Sequence, residues 1–217
     1  LPQGFVGAAC AAGLKSTGAF DLTLIENKGP SFFGTAVFTS NKVVAAPVIW
    51  SKQVVKDQIV RAVVLNSGGA NACTGPQGFA DTHATAELVG ELLEVSSGEV
   101  VVCSTGLIGE LLPMTKIENG IRSIALKLKS ESLQECAQAI MTTDSVPKIA
   151  QASLSKVQVA GIAKGAGMLA PALATMLSVV MTDGVVGSNA AKIFAQVTDR
   201  TYNRIDSDGC TSTNDTV

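Results

Sequence analysis

A threonine in an uncharged, glycine-containing segment is the strongest candidate for chemistry in the sequence. Thr175 follows the small residue Ala174, and Lys164 lies eleven positions upstream. Burying a hydroxyl without a hydrogen-bond partner costs roughly 1–3 kcal/mol, so such a threonine needs a partner. If the Ala174–Thr175 bond is cut, the new α-amine of Thr175, with an ordinary pKa of about 7.7–8.0, can activate its own hydroxyl as a nucleophile. The alternative is a buried threonine that only hydrogen-bonds to the backbone.

The tripeptide Ser104-Thr105-Gly106 could supply a second requirement of acyl transfer, donors for the oxyanion of a tetrahedral intermediate. It directly follows the apolar, β-branched run Val100–Cys103, so a strand is predicted to end there. Such an end presents the Thr105 hydroxyl and a backbone N–H together, and Gly106 lets a substrate approach the backbone closely. The alternative is an ordinary turn after a strand.

Seven ordered blocks of sequence carry a resemblance to a known family. They are DLTLIENKGP at 21–30, AVFTSNKVVAAPV at 36–48, RAVVLNSGGANACTGPQGFADTHATAE at 61–87, CSTGLIGELLPMTKI at 103–117, AIMTTDSVPK at 139–148, AKGAGMLAPALATML at 163–177 and DGCTSTNDTV at 208–217. With these blocks the chain resembles the bacterial ornithine acetyltransferases, also called glutamate N-acetyltransferases, which are self-processing enzymes of arginine biosynthesis. The resemblance covers nearly the whole chain.

The resemblance assigns roles to individual residues. Thr175 matches the family's nucleophile, and the Ala174–Thr175 bond matches its self-cleavage site. Thr105 and Gly106 match the oxyanion-binding pair. The positions that match substrate-binding residues are Thr142, Lys164 and Thr175. A lysine suits a substrate carboxylate by its charge, and a threonine offers a neutral donor or acceptor.

The resemblance also implies a reaction and an assembly. Thr175 would take the acetyl group from N2-acetyl-ornithine, and glutamate would accept it from an acetyl-threonine intermediate in cyclic arginine biosynthesis. No cofactor is implied, although some members also use acetyl-CoA as a substrate. Cleavage would divide the chain into an α-chain portion, residues 1–174, and the start of a truncated β-chain, residues 175–217. The implied assembly is a cytoplasmic α/β heterotetramer, and the chain is expected to be an N-terminal fragment of a longer precursor.

Two other functions are compatible with the same residues. Fold relatives with a self-generated N-terminal nucleophile include aminopeptidases and amidohydrolases, in which water would replace glutamate as the acceptor. A non-catalytic binding or scaffold protein that kept the fold would instead stay intact after purification.

Composition and charge argue against several kinds of partner. The formal net charge is −2 and no basic patch is present, which disfavours a nucleic-acid partner. The five cysteines are scattered, without a CxxC pair or a Cys/His cluster, so neither a zinc site nor a disulfide framework is predicted. The uncharged run 165–182 contains glycines and a proline and lacks aromatic belts. A buried turn followed by a buried helix is predicted there, and a membrane span is not.

Three further polar features receive weaker interpretations. The stretch Asn66–Asn71 lacks the lysine and spacing of phosphate-binding loops, so it is predicted to form a tight loop near the site, with Asn71 as a supporting donor. His83 is predicted at a helix start, in a capping or surface role. The carboxylates Asp206, Asp208 and Asp215 lack the spacing of a calcium loop, so no metal is predicted.

The alternation of strand and helix patterns predicts an α/β fold with sheets covered by helices. Strands are predicted at Asp21–Ile25, Ala36–Phe38, Val43–Trp50, Val60–Leu65 and Val100–Cys103. Helices are predicted after Asp81, from Pro113, at Leu133–Ile140 and at Ala190–Thr201, and an exposed loop or hairpin at Lys148–Lys156. The resemblance implies the same class, in the form found in self-cleaving ornithine acetyltransferases and N-terminal-nucleophile aminopeptidase-like proteins.

Overall fold

The computed structural model describes residues 1–168 and 176–217. The strands are β1 Phe5–Cys10, β2 Leu22–Asn27, β3 Ala62–Asn66, β4 Val100–Ser104, β5 Lys148–Leu154, β6 Val157–Lys164 and β7 Leu177–Thr182. The helices are α1 Ala46–Val54, α2 Gly75–Leu93, α3 Met114–Ala125, α4 Leu133–Ala139 and α5 Ala190–Arg200.

The first sheet brings the ends of two parallel strands together. Its order is β1-β2-β3-β4, with antiparallel pairs β1–β2 and β2–β3 and a parallel pair β3–β4. Helix α2 makes the crossover that a parallel connection requires. In the β3–β4 register Asn66 pairs with Ser104, so the loop after β3 and Thr105 emerge side by side at one edge of the sheet.

In the second sheet, the two ends of the connection between β6 and β7 lie side by side. Strands β5, β6 and β7 are antiparallel, and the β5–β6 hairpin confirms the hairpin predicted at Lys148–Lys156. In the β6–β7 register Lys164 pairs with Leu177. The connection that contains Thr175 therefore leaves and re-enters the sheet at neighbouring positions.

Apolar side chains cover both faces of the first sheet. On one face Leu24 and Val64 pack against Ile121 of α3. On the other face Leu65 joins a cluster with Ile140, after α4, and Ile162 of the second sheet. Helices and the second sheet thus cover the first sheet, and the predicted α/β architecture is confirmed.

The segment 213–217 is buried between two parts of the chain that are distant in sequence. Val217 exchanges two backbone hydrogen bonds of 3.0 Å with Val37. On the other side Thr216 N donates to Met176 O, and Ser178 N donates to Thr216 O, both at 3.0 Å. The segment therefore joins the start of β7 to the region before α1.

Several predictions of local structure are wrong. The predicted strand Val43–Trp50 is largely helix α1, because Pro47 in its first turn favours a helix start that outweighs the β-branched residues around it. Within the predicted strand Ala36–Phe38 only an isolated pairing of Phe38 with Thr216 is present. The helix predicted after Asp81 already begins at Gly75, so His83 lies inside it and not at its start.

The structure of the last part of the uncharged run 165–182 also differs from the prediction. Its last part is strand β7 and not a helix, because Leu177–Thr182 completes a sheet with β6. Residues 169–175 lie outside the described residues. Among the helices that are described, none is long and apolar enough to cross a membrane.

Candidate active site

Thr105 and Gly106 sit where the ends of β3 and β4 meet. Thr105 is buried, and its backbone N–H donates to Asn66 O at 3.0 Å. Gly106 has a φ of +135°, and a Cβ there would lie 2.7 Å from Gly69 N and 2.8 Å from Gly68 C. Only glycine fits this close backbone approach. The loop predicted at Asn66–Asn71 is therefore confirmed as a neighbour of the candidate oxyanion pair.

Lys164 contributes a buried ammonium group to the same place. Its side chain is fully buried, and Nζ donates a hydrogen bond to Thr105 Oγ1 at 3.3 Å. Burial lowers the pKa of Lys164 to about 8, and the negative charges of Asp144 and Asp215 oppose this decrease. At neutral pH the group remains mainly cationic, so it can attract an anion or a developing negative charge.

Asp144 connects two of the predicted substrate-binding residues. Its Oδ2 accepts from Thr142 N at 3.1 Å and its Oδ1 accepts from Gly165 N at 2.8 Å, next to Lys164. It also forms an ion pair with Lys148. Burial opposes ionisation of Asp144, but the hydrogen bonds from Lys148, Gly165 and Thr142 outweigh it and lower its pKa. Asp144 thus holds Thr142 and the end of β6 in one arrangement.

The sequence analysis assigned no role to Asp144. The signal that could have found it is its place within the AIMTTDSVPK block, two residues after Thr142.

Asp215 is a second buried carboxylate that the sequence analysis did not assign. It is fully buried, and its Oδ1 accepts a hydrogen bond from Met176 N at 2.7 Å. Burial raises the pKa of Asp215 to about 7, against the opposing effects of the Met176 N–H, the Ser212 hydroxyl and the Lys164 charge. The sequence analysis considered Asp215 only as a metal ligand, and its spacing does not fit a calcium loop.

Asn214 fastens the segment 213–217 to the first sheet. Its Nδ2 donates to Ser104 O at 2.9 Å and to Ala70 O at 2.6 Å. It is buried, so these bonds satisfy an amide that would otherwise be costly to bury. Through Asn214 the backbone around Asp215 is held next to the end of β4.

The predicted nucleophile and its cleavage bond, Thr175 and Ala174, lie outside the described residues. The neighbouring Met176 is described, and it is covalently bonded to Thr175. Leu177, the residue after Met176, pairs with Lys164 in the second sheet.

The other sequence-based candidates lie outside this group of residues. Asn71 donates to Gly78 O at 2.8 Å and to Thr82 Oγ1 at 3.0 Å, so it stabilises the first turns of α2. His83 stacks edge-on against Trp50 at 4.9 Å between ring centroids, on the partly exposed side of α2. In the ranges 1–168 and 176–217, no group of three or more His, Cys, Asp or Glu side chains could hold a metal ion.

The sequence of the chain matches one known protein family. Residues 7–217 match the profile of the ArgJ family. The chain belongs to the ArgJ family. A protein named Arginine biosynthesis bifunctional protein ArgJ from Streptomyces avermitilis is 54% identical over 216 residues, which cover 99% of this chain and 56% of that protein. A protein of the same name from Mycobacterium tuberculosis is 51% identical over 225 residues, covering 100% of this chain and 56% of that protein. The chain therefore spans little more than half the length of these ArgJ relatives.

Solved structures of ArgJ proteins share the fold. An ornithine acetyltransferase from M. tuberculosis, crystallised with ornithine, superposes with a TM-score of 0.71 at 46% identity, covering 81% of this chain and 94% of that chain. The arginine biosynthesis bifunctional protein ArgJ from Bacillus halodurans gives a TM-score of 0.62 at 29% identity, covering 86% and 89%. The fold expected from the sequence resemblance is therefore confirmed.

Proposed function

We propose that the complete protein is an acetyltransferase that moves the acetyl group of N2-acetyl-ornithine to glutamate through an acetyl ester of Thr175. The observation that carries the proposal is the contact between the buried Lys164 ammonium and the Thr105 hydroxyl, at 3.3 Å. In the sheet register Lys164 pairs with Leu177, two residues after Thr175. Acyl transfer requires a nucleophile, a base and donors to the oxyanion, and a nearby cation adds to the stabilisation of the negative charge.

Self-cleavage is the first proposed step. The Thr175 hydroxyl oxygen attacks the carbonyl carbon of Ala174, the C–N bond breaks, and the nitrogen takes up the proton to become a free α-amine. Water then hydrolyses the resulting ester. The products are an α-chain that ends at Ala174 and a β-chain that begins at Thr175 with its own base.

The lengths of the ArgJ relatives support a break in the chain. The structural match covers 81% of the 217 residues of this chain, which is about 176 residues. These correspond to 94% of the crystallised M. tuberculosis chain. By contrast, 225 aligned residues are only 56% of the curated ArgJ protein from the same species. The crystallised chain is thus about half as long as the curated protein, as a cleaved precursor would be.

Acetyl transfer follows in two half-reactions. The Thr175 α-amine takes the hydroxyl proton while the oxygen attacks the acetyl carbonyl carbon, and the proton passes to the departing nitrogen of ornithine. Glutamate nitrogen then attacks the acetyl ester and regenerates the hydroxyl. Thr105 and Gly106 stabilise the oxyanion in both halves, and Lys164 and Thr142 hold the amino-acid substrate. The ornithine bound to the M. tuberculosis relative supports an ornithine-type donor.

The proposal extends to the assembly and the setting of the enzyme. The cleaved chains form an α/β heterotetramer in the cytoplasm, and acetyl-CoA is a second donor to be tested. Residues 1–174 supply the α-chain and residues 175–217 the start of the β-chain.

A product assay on the complete gene product tests the proposed reaction. With N2-acetyl-ornithine and glutamate present, the expected products are ornithine and N-acetylglutamate in equal amounts. Release of free acetate at the same rate with and without glutamate would instead indicate an amidohydrolase. An intact chain with no turnover of either kind would indicate a scaffold protein.

A further inference from the structure

Lys15 has no part in the reaction proposed above, yet its backbone packs behind the candidate oxyanion pair. It belongs to the connection 11–21 between β1 and β2. A Cβ at Gly68 would lie 2.2 Å from Leu14 Cβ and 3.2 Å from Leu14 C, the atom bonded to Lys15 N. Gly68 C in turn would lie 2.8 Å from a Cβ at Gly106. Three backbone segments are therefore stacked in close contact, and Lys15 lies in the outermost of them.

A buried carboxylate fixes the backbone at Lys15. Asp21 is fully buried, and its Oδ2 accepts from Leu14 N at 2.6 Å and from Lys15 N at 3.0 Å. Its Oδ1 accepts from Ala12 N at 2.6 Å. The backbone O of Asp21 accepts from Ser67 N at 2.9 Å. Asp21 thus ties the connection that carries Lys15 to the loop that follows β3.

The Lys15 ammonium has donors to spare. Its side chain is partly buried, and Nζ donates one hydrogen bond, to Phe20 O at 2.8 Å. An ammonium group can donate three. None of the ion pairs within residues 1–168 and 176–217 includes Lys15, and the sequence 169–175 contains no acidic residue. A partly desolvated cation with unused donors can bind the carboxylate of a ligand.

Electrostatic effects place this ammonium on the same side as Lys164. Burial lowers the pKa of Lys15, and the charges of Asp21 and Asp144 oppose the decrease. The charge of Lys15 in turn contributes to the lowered pKa of Lys164. Asp144 is the carboxylate whose Oδ2 accepts from Thr142 N at 3.1 Å. Lys15 and Lys164 therefore both act on the place where the candidate substrate-binding residues converge, although they come from different sheets.

Two ammonium groups at one site suit an amino acid that carries two carboxylates. Of the two substrates proposed above, glutamate has two carboxylates, whereas N2-acetyl-ornithine has one and a cationic side chain. We propose that Lys15 is a substrate-binding residue that selects a dicarboxylic acceptor: it donates to one carboxylate of glutamate while Lys164 holds the other. This inference rests on the proposed acetyl transfer. Lys15 offers no attraction to the ornithine ammonium, so its contribution belongs to the glutamate half-reaction.

The test compares glutamate and glutamine as acceptors in the complete gene product. Glutamine has nearly the same shape as glutamate but no charge on its side chain. Lys15→Met should lower kcat/KM for glutamate about 10- to 100-fold, mainly through KM, as expected when a hydrogen bond between charged groups is lost. The value for glutamine should change little. The preference for glutamate over glutamine should therefore nearly disappear.

Lys156→Met is the matched control. Lys156 is exposed in the turn between β5 and β6, at the opposite end of β6 from Lys164. Its removal should leave the preference for glutamate at the wild-type value. Lys15→Arg keeps a cation at the site and should restore most of the preference that Lys15→Met loses.

The donor half-reaction separates acceptor binding from a structural defect. It is measured as the burst of ornithine released from N2-acetyl-ornithine when glutamate is absent. In Lys15→Met this burst should fall far less than the rate with glutamate. A defect of the loop would lower the burst and the rates with both acceptors by the same factor, and that result would overturn the inference.

Other outcomes would also overturn the inference while leaving the proposed function intact. One is a Lys15→Met enzyme that prefers glutamate over glutamine as strongly as the wild type does. Another is a wild type with equal kcat/KM for the two acceptors. If Lys15→Met does not fold, Lys15→Gln takes its place with the same expected loss. Failure of the wild type to transfer acetyl groups to glutamate at all would contradict the proposed function itself.

Discussion

Lys164 Nζ lies 3.3 Å from Thr105 Oγ1, although the two residues are 59 positions apart and lie at the ends of strands in different sheets. Thr105 follows the last strand of the first sheet, and Lys164 ends the middle strand of the second. The contact is buried and joins the two sheets where charged groups converge. The same contact places the Lys164 ammonium beside the candidate oxyanion site.

Removing the Thr105 hydroxyl tests its role in transfer. Thr105→Val leaves the Lys164 ammonium without this acceptor and deletes a donor to the oxyanion. We expect kcat to fall about 100- to 1000-fold, as when one oxyanion donor is lost. Thr105→Ser keeps the hydroxyl and should retain most of the activity in the same product assay. A Val variant as active as the Ser variant would argue against the assignment.

The low pKa of Lys164 predicts a pH-dependent stability. The folded-state pKa is about 8, against 10.5 ordinarily, so between these values the unfolded chain binds more protons than the native chain. Stability from this group therefore rises as pH increases from about 8 to 10.5, by on the order of 3 kcal/mol. Urea unfolding of the wild type and of Lys164→Met across this range measures the difference.

The measurement compares the wild type with the test variant Lys164→Met and the control variant Lys192→Met. Lys164→Met should lack the rise, whereas Lys192→Met, on the exposed side of α5, should retain it. Identical slopes for all three proteins would mean that Lys164 has an ordinary pKa in the folded protein.

The tight backbone at Gly106 predicts a loss of folding stability on substitution. A Cβ at this position meets Gly69 N at 2.7 Å, and the φ of +135° is unfavourable for any other residue. Gly109 also has a positive φ, +88°, but a Cβ there meets nothing within 4 Å. Gly106→Ala should therefore lower the melting temperature more than Gly109→Ala does. Equal effects of the two substitutions would rule out the steric explanation.

Substitutions of Thr175 test the nucleophile itself. Thr175→Ser keeps a hydroxyl and an α-amine, so the precursor should still cleave and transfer acetyl groups. Thr175→Ala should remain uncut and inactive, although folded. Electrophoresis of the purified complete proteins distinguishes one chain from two. A cleaved Thr175→Ala protein would contradict the assignment of the nucleophile.

Local patterns predicted some of the strands correctly and missed others. The apolar, β-branched runs at β3 and β4 are buried on both sides and were recognised as strands. β1 was missed, because its glycine and alanines carry no strong strand pattern. Pro47 reversed the prediction at α1, since a proline in the first helical turn outweighs the surrounding valines.

The family motifs pointed to some of the residues that converge at the candidate site, but not to all of them. Thr105, Gly106 and Lys164 lie in recognised blocks, and the structure brings them together. The roles of Asp144 and Asp215 depend on tertiary contacts, with Gly165 N and Met176 N respectively, that no local spacing reveals. In the sequence alone, a carboxylate near threonines and asparagines is interpreted as part of a turn. Only the fold shows from which backbone N–H groups it accepts hydrogen bonds.

The intact mass of the complete gene product tests the central claim most directly. The account predicts two masses, one for a chain that ends at Ala174 and one for a chain that begins at Thr175. N-terminal sequencing of the second chain should read Thr175-Met176-Leu177-Ser178-Val179. A single uncut mass from a preparation that still transfers acetyl groups to glutamate would contradict it.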